Sequence, residues 1–218
     1  MPLRKGLWLV FLGPDGCGKS SVIDALATNP PEGFSQVVCF HLRPYIIVRS
    51  RSSKNINAVV DPHGCPPRGK LSSMLKLFFF CIDYQLGFWT RVRKHVKQGQ
   101  LVIFDRFYHD LLADPKRYRY GGPMWLARLI GNLIPQPDLF ILLDAPATVL
   151  QSRKQEVPFD ETVRQRAAYL QFMRSQKNGV VVDASQPLDK VVATCSKEIL
   201  DVMARRVKKR CKQLAVDS

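Results

Sequence analysis

The chain has 218 residues, 46% of them hydrophobic and 23% charged, a balance that suits one domain with a single sizeable core. Its formal net charge of +15 favours acidic partners such as nucleotides, nucleic acid, phosphorylated substrates or an anionic membrane surface. No apolar run approaches the ~20 residues of a membrane span, and the six cysteines form no C-x-x-C pair, so we expect a cytoplasmic protein without a zinc site or a disulfide framework.

A glycine-rich turn follows the first predicted strand. Residues 7–12 (LWLVFL) form a buried strand in this interpretation, and an amphipathic pattern starts near residue 21. Between them, residues 13–20 (GPDGCGKS) fit the pattern G-x-x-x-x-G-K-[ST], whose glycines let consecutive backbone N–H groups point at a phosphate. The Lys19 ammonium would lie at the β- and γ-phosphates, and Ser20 would bind magnesium. The predicted nucleotide-binding residues are Gly13, Pro14, Asp15, Gly16, Cys17, Gly18, Lys19 and Ser20.

A second buried strand is predicted at 35–40 (SQVVCF), and the segment that follows it, 41–70, shows no helical period. This segment contains four prolines and six Lys or Arg against a single acidic residue. A connection of this length without secondary structure is usually functional or disordered. Solvated loop charge and binding of an acceptor both explain its composition.

A helical stripe occupies residues 71–98. Apolar residues recur at positions 71, 75, 78, 82, 86, 89, 92 and 96. We expect the phenylalanines 78–80 to pack in the core rather than to form a cofactor box, and Gly99 to end the helix. Within the helix, Gly87 would either cause a kink or let a ligand approach.

Three further strands each end in an acidic residue. The strands cover 101–104 before Asp105, 139–143 before Asp144, and 179–182 before Asp183. Helices are predicted at 124–133, at 146–156, from about 160, and after Pro187. Short apolar strands that alternate with helices imply an α/β fold, with a five-stranded parallel sheet covered on both faces and ligands at the carboxyl ends of the strands.

A carboxylate at one of these strand ends is expected to face Ser20 across the magnesium site. Asp105 is the first candidate and Asp144 competes with it. The neighbour of Asp105 favours it, because the Arg106 guanidinium can hold an acceptor anion with two parallel hydrogen bonds. A purely structural salt bridge is the alternative role for Arg106.

Several motifs resemble those of the thymidylate kinases. They are the loop GPDGCGKS, the tripeptide DRF at 105–107, PQPDLFILLDAP at 135–146, the Arg153-Lys154 pair, and VVDAS at 181–185. The resemblance implies a three-layer P-loop NTPase fold over residues 1–218. It further implies acceptor-side insertions at 41–70 and 108–123, and a lid at 150–168. The implied reaction is transfer of the γ-phosphoryl group of ATP, with Mg²⁺, to a nucleoside monophosphate, dTMP by default.

The resemblance also implies residue roles. Asp15 would approach the acceptor, Arg106 and Arg43 would hold it, and Arg153 would begin the lid over ATP. The residues implied beside the adenine are Asp183, Ala184 and Ser185. The catalytic set would be Lys19, Asp105, Arg106 and Arg153. Some members of the family carry a catalytic arginine where this chain has Gly16, so that charge would come from the lid cations Arg153, Lys154, Arg164 and Arg166.

The acceptor side departs from the family. Counting back from Asp105, the thymine-stacking phenylalanine falls on Cys81 and the base-binding arginine on Gln85, although Tyr84 or Phe88 would substitute after a shift of register. A kinase of the same fold that phosphorylates a sugar, glycan or polynucleotide hydroxyl is therefore the first alternative. A nucleotide-dependent nucleic-acid-binding protein is the second and is not favoured. A homodimer is compatible with the sequence.

Overall fold

The structure is a computed structural model that describes residues 6–44 and 66–214. Five strands form one parallel sheet in the order β2-β3-β1-β4-β5. The strands are β1 Leu7–Leu12, β2 Val37–His41, β3 Leu101–Asp105, β4 Leu139–Asp144 and β5 Gly179–Asp183. The predicted α/β fold with five parallel strands is therefore confirmed. Residues 45–65, most of the predicted insertion at 41–70, lie outside the described residues.

Helices cover both faces of the sheet. They are α1 Lys19–Thr28, α2 Lys70–Gly87, α3 Arg93–Lys97, α4 Asp110–Ala113, α5 Met124–Leu133, α6 Ala147–Arg153, α7 Phe159–Arg174 and α8 Leu188–Leu214. A π-helical turn, Phe88–Val92, joins α2 to α3 without a break. In the described part of the chain, no helix has both the length and the apolar character needed to cross a membrane.

The core consists of two layers, one on each side of the sheet. Trp8 and Val10 of β1 pack towards α2, α4, α5 and α7, whereas Leu9 and Phe11 pack towards α1, α6 and α8. This division follows from the two-residue period of a strand, which points successive side chains to opposite faces. Because both faces are covered, all six residues of β1 are buried and apolar.

The apolar stripe of the long helix lies on its exposed side. Six large apolar residues are 44–72% exposed: Leu71, Leu75, Phe78, Ile82, Leu86 and Trp89. The expectation that Phe78 packs in the core is therefore wrong, although Phe80 is buried. The buried side of α2 includes the polar residues Ser73 and Asp83, so hydrophobic periodicity alone does not identify the face that packs on the sheet.

Gly87 makes room for the chain that leaves β2. A Cβ atom at this position would lie 1.9 Å from Cγ of Pro44. The π-helical turn starts at the next residue, where the helix passes Pro44. Gly87 was expected to cause a kink or to let a ligand approach, but the group that approaches it in the described structure is the protein's own Pro44.

We expect Gly87→Ala to lower the free energy of unfolding by about 1–3 kcal/mol, because the added methyl group overpacks against Pro44. Gly69→Ala is the control without a clash, since a Cβ there meets nothing within 4 Å, and we expect it to cost at most about 1 kcal/mol, because Gly69 is the N-cap of α2 and alanine caps poorly. Urea denaturation of the two variants measures the difference. Equal stabilities would contradict the assigned contact.

Candidate active site

The glycine-rich loop lies between β1 and α1, at the carboxyl end of the central strand. Gly13, Gly16 and Gly18 have φ values of 144°, 83° and 85°, which side chains rarely tolerate. At Gly13 a Cβ would also approach the carbonyl oxygen of Leu143 to 2.6 Å. Close packing of the loop and three left-handed glycines therefore produce the backbone curvature that a phosphate cradle requires.

Lys19, the first residue of α1, directs its ammonium group into this loop. Its Nζ donates hydrogen bonds to the carbonyl oxygens of Gly13 at 2.7 Å and Pro14 at 3.0 Å, and contacts Sγ of Cys17 at 3.3 Å. The side chain is buried, whereas Ser20 is exposed in the same first turn. The α1 amino terminus and this ammonium thus form a positive site suited to an anion.

Asp105 reaches the same edge of the sheet from the neighbouring strand. It ends β3 in register with Phe11 of β1 and His41 of β2, and its Oδ2 lies 3.2 Å from Nδ1 of His41. Burial alone would raise the pKa of Asp105, but the hydrogen bond to His41 and the charge of Lys19 outweigh it, so the pKa is lowered. His41 was not among the predicted site residues, because its position at a strand end is its only signal in the sequence.

The donor atoms near Lys19 fit magnesium. Oδ1 of Asp105 is buried and has no hydrogen-bond partner in the described structure, so it has a free lone pair for a metal-bound water. Asp144, the competing carboxylate, instead binds Arg166 through two hydrogen bonds of 2.7 and 2.8 Å. No group of three His, Cys, Asp or Glu that could hold a metal occurs among the residues described.

Asp15 is a residue of the glycine-rich loop, and its carboxylate pairs with two arginines from other segments. Arg106, directly after β3, forms an ion pair with Oδ1 of Asp15. Arg117 contacts both carboxylate oxygens, at 3.2 Å from Oδ1 and 2.5 Å from Oδ2. Burial favours the protonated acid, but the two guanidiniums dominate and hold the pKa of Asp15 well below its usual range. Arg117 lies in the predicted insertion at 108–123 and was not among the predicted site residues.

Arg106 is held from its other side by a buried carboxylate. Its backbone has φ of 66°, and its Nη1 lies 3.6 Å from Oδ1 of Asp110. Asp110 also accepts hydrogen bonds from the Tyr169 hydroxyl at 2.7 Å and from the Phe107 amide at 2.8 Å. Burial raises the pKa of Asp110. Asp110 therefore positions the Arg106 guanidinium against Asp15.

A cavity next to the loop is lined by Arg153 and Ala184 but not by Asp183 or Ser185, the other residues predicted beside the adenine. Arg153 donates a hydrogen bond to the carbonyl oxygen of Ala184 at 2.8 Å. Asp183 accepts hydrogen bonds from the Ser185 amide at 2.9 Å and the Ser185 hydroxyl at 2.6 Å. The cavity measures about 220 Å³ and is lined by Cys17, Gly18, Ser21, Val22, Arg153, Ala184, Gln186, Leu188 and Val191. Of these, Ser21, Val22, Gln186, Leu188 and Val191 were not predicted.

On the acceptor side, Gln85 points towards α5 and not towards the sheet edge. Its Nε2 donates a hydrogen bond to the carbonyl oxygen of Leu133 at 2.7 Å, and Cys81 is half-buried. A π-helical turn, whose hydrogen bonds span one residue more than those of an α-helix, lies between these positions and β3. The neighbouring residues Phe80 and Tyr84 are the buried ones.

Two cations lie against the ring of Phe80. Arg43 Cζ is 5.1 Å from its centroid, and Lys76 Nζ is 5.4 Å from it. Arg43 also lies 3.6 Å from Asp83, and Lys76 donates a hydrogen bond to the carbonyl oxygen of Tyr118 at 2.7 Å. Burial and the nearby Arg68, Arg43 and Arg119 lower the pKa of Lys76 to about 8. The inward side of α2 therefore presents positive charge, and its aromatic rings are covered.

Asp15→Asn should destabilise the fold by about 2 kcal/mol at pH 7, because it removes the charge that neutralises Arg106 and Arg117. The lowered pKa of Asp15 means that its contribution is present above the ordinary value of 3.8 and is lost as the pH falls through and below it. Urea denaturation should therefore show a difference from the unsubstituted protein that shrinks below about pH 4.

Asp201→Asn is the matched control for this measurement. It removes one negative charge from an exposed ion pair with Lys197, and we expect it to leave stability nearly unchanged at every pH. A difference for Asp15→Asn that is as small as that for Asp201→Asn would show that the central ion pairs carry little stability.

Comparison with known proteins places this arrangement in a family. The family model described as thymidylate kinase matches residues 11–195. The chain is 26% identical over 209 residues to the thymidylate kinase of Oenococcus oeni, covering 87% of this chain and 92% of that one. It is 24% identical over 210 residues to the probable thymidylate kinase of Pyrobaculum aerophilum, covering 88% and 95%.

A solved structure has the same fold. The crystal structure of thymidylate kinase from Ehrlichia chaffeensis matches with a TM-score of 0.57 and 17% identity, covering 88% of this chain and 97% of that chain. At that identity the match supports the fold alone. The family model, however, spans most of the sequence. This protein therefore belongs to the thymidylate kinase family and is a P-loop kinase of the nucleoside monophosphate kinase type.

Proposed function

We propose that the protein transfers the γ-phosphoryl group of ATP to a nucleoside monophosphate, with dTMP as the acceptor that its relatives suggest. The observation that carries this proposal is the ion pair between Asp15 and Arg106. It joins the glycine-rich loop, which would hold the donor, to the strand end that would hold the acceptor. Donor phosphate and acceptor phosphate would thus meet at one edge of the sheet.

The donor half would be built mainly from backbone. Loop amides and the α1 amino terminus would bind the phosphates, and Lys19 would exchange its loop carbonyl partners for phosphate oxygens. Ser20 and Asp105 would hold the magnesium ion, which would neutralise charge on the β- and γ-phosphates. Arg153 and Ala184 would lie beside the adenine.

The acceptor half would work without a general base. An oxygen of the acceptor phosphate would attack the γ-phosphorus, the bond to the β,γ-bridging oxygen would break, and its electron pair would leave with ADP. A phosphate monoester oxygen is already deprotonated at neutral pH. The lowered pKa of Asp15 makes it a poor proton acceptor, which suits such an acceptor better than a hydroxyl group. Arg106 would then exchange Asp15 for the acceptor phosphate.

A second acceptor class is favoured by the covered ring of Phe80. A nucleobase needs an exposed aromatic face on which to stack, but Arg43 and Lys76 lie over this ring. Gln85 is bound to α5. Two cations in the place of an open ring favour an acceptor that carries negative charge, so a polynucleotide hydroxyl, or a sugar or glycan that bears an acidic group, is the candidate that follows dTMP.

A coupled assay of ADP release tests the proposal. We expect dTMP-dependent ADP release, and we expect Lys19→Ala to lower kcat by about 10³-fold or more, because it removes a charge that stabilises the transferring phosphoryl group. Circular dichroism would verify that the variant is folded. Full turnover by Lys19→Ala would overturn the assignment of the glycine-rich loop as the site of phosphoryl transfer.

The same assay discriminates the acceptors. Absence of turnover with dTMP, together with turnover of a sugar or a polynucleotide, would replace the first acceptor with the second class. Salt-sensitive binding of nucleic acid that is unchanged by Lys19→Ala, without any turnover, would instead support a nucleic-acid-binding protein.

We also propose that two copies of the chain associate through the exposed apolar residues of α2 and the adjacent α5. The exposed α5 residues are Trp125, Leu129 and Leu133. Chains that each carry a formal charge of +15 repel one another. A stable contact between copies therefore requires an uncharged face, and the α2 stripe supplies one about 27 Å long.

A cytoplasmic setting remains our proposal, since the described cysteines are all free thiols.

Light scattering after size-exclusion chromatography should give twice the 24.8 kDa mass of the chain. Ile82→Glu should convert this species to a monomer, because it places a charge in the apolar face. Val207→Glu is the matched control, since Val207 is exposed on α8 and lies on another helix. A monomeric unsubstituted protein at micromolar concentration would overturn the proposal.

A further inference from the structure

We propose that Arg117 is a catalytic residue, whose guanidinium neutralises charge on the transferred phosphoryl group in the place of an arginine at position 16 of the loop. Arg117 lies in the connection between α4 and α5, well apart in sequence from the loop and the lid. The inference rests on the proposed phosphoryl transfer, but it does not depend on which acceptor is used.

Position 16 cannot supply this charge. Gly16 has φ of 83°, and a Cβ there would approach the carbonyl oxygen of Leu150 to 2.6 Å and Cβ of Lys154 to 3.4 Å. A side chain at this position would therefore combine backbone strain with a clash against α6. The loop needs an external cation, because phosphoryl transfer depends on neutralising the oxygens of the group in transit.

The lid arginines are bound elsewhere. Arg153 donates to the carbonyl oxygen of Ala184 on the adenine side. Arg166 forms two hydrogen bonds with Asp144, and Arg164 pairs with Glu161 at 2.6 Å. Lys154 is the remaining lid cation of the expected set. It pairs with Glu156 at 2.5 Å, and its side chain is more than half exposed.

Arg117 occupies the place that these residues leave. Its guanidinium holds both oxygens of Asp15, the residue before Gly16. Its Nη2 also lies 3.1 Å from Oε2 of Glu156, just after α6. One largely buried guanidinium thus bridges the phosphate loop and the lid, within one residue of the position where a loop arginine would begin.

The bridge suits a change of partner during the reaction. When a phosphoryl group passes beside Asp15, its oxygens compete with the carboxylate for the N–H groups of Arg117. Some N–H groups of the guanidinium would then donate to the phosphoryl oxygens, while the contact with Glu156 keeps the side chain in place. Arg117 donates hydrogen bonds and no proton. The bonds that form and break are those of the proposed transfer. The γ-phosphorus bonds to the acceptor oxygen, its bond to the β,γ-bridging oxygen breaks, and the electron pair of that bond leaves with ADP.

Arg117→Gln and Arg117→Lys test the role against the control Lys116→Gln. Lys116 is exposed, and its ammonium group lies 3.7 Å from Oε2 of Glu161. We expect Arg117→Gln to lower kcat by about 10²–10³-fold with less than about a threefold change in KM for ATP, because the interaction forms mainly in the transition state. Arg117→Lys keeps a charge beside Asp15, so it should fold normally, yet lose at least about tenfold in kcat because it lacks the fork. Lys116→Gln should match the unsubstituted protein.

Binding of MgADP with fluoroaluminate, a mimic of the phosphoryl group in transit, gives a readout that needs no identified acceptor. We expect fluoroaluminate to tighten MgADP binding in the unsubstituted protein and in Lys116→Gln, but not in Arg117→Gln, while all three bind MgADP alone with similar Kd. Equal tightening in Arg117→Gln would overturn the role. The role would also be overturned if Arg117→Gln weakened the binding of MgADP alone by the same factor as the binding of MgADP with fluoroaluminate. Absence of dTMP-dependent turnover in the unsubstituted protein would refute that acceptor, whereas the fluoroaluminate comparison would still decide the role of Arg117.

Discussion

The carboxylate of Asp15 is the constraint on which the site depends. It is largely buried, so ionising it requires compensating charge, and Arg106 and Arg117 supply that charge from two different segments. The loop after β1, the end of β3 and the connection before α5 are therefore held together even without substrates. Substrate phosphates would meet guanidiniums that are already positioned, which limits the reorganisation needed during the reaction.

The architecture and the position of the glycine-rich loop at the sheet edge could be predicted because their causes are local. Strands covered on both faces must be apolar throughout, so runs such as 139–143 were visible directly. The glycines of the loop are required by backbone conformation, and Asp105 follows from the rule that parallel strands end at one edge. His41 escaped prediction because a histidine at the end of a half-exposed strand carries no pattern of its own.

The acceptor half could not be predicted in the same way, because its residues are selected by tertiary contacts. Arg117 and Asp15 are 102 residues apart in sequence, and nothing local distinguishes Arg117 from the neighbouring basic residues. The packed face of the α2 helix was wrongly predicted for a related reason. Its buried side carries Ser73 and Asp83, while its apolar stripe faces outward, and a π-helical turn interrupts the regular helix between it and β3.

This contrast between the two halves has a chemical basis. A triphosphate presents the same oxygens to every kinase of this fold, so backbone amides and one lysine can bind it. An acceptor differs from one enzyme to the next and must be recognised by side chains on loops and helices. On the expected acceptor side of this chain, Arg43 and Lys76 cover the ring of Phe80. A covered ring offers no face for stacking, and this is the physical reason to propose, after dTMP, an acceptor that is selected by charge.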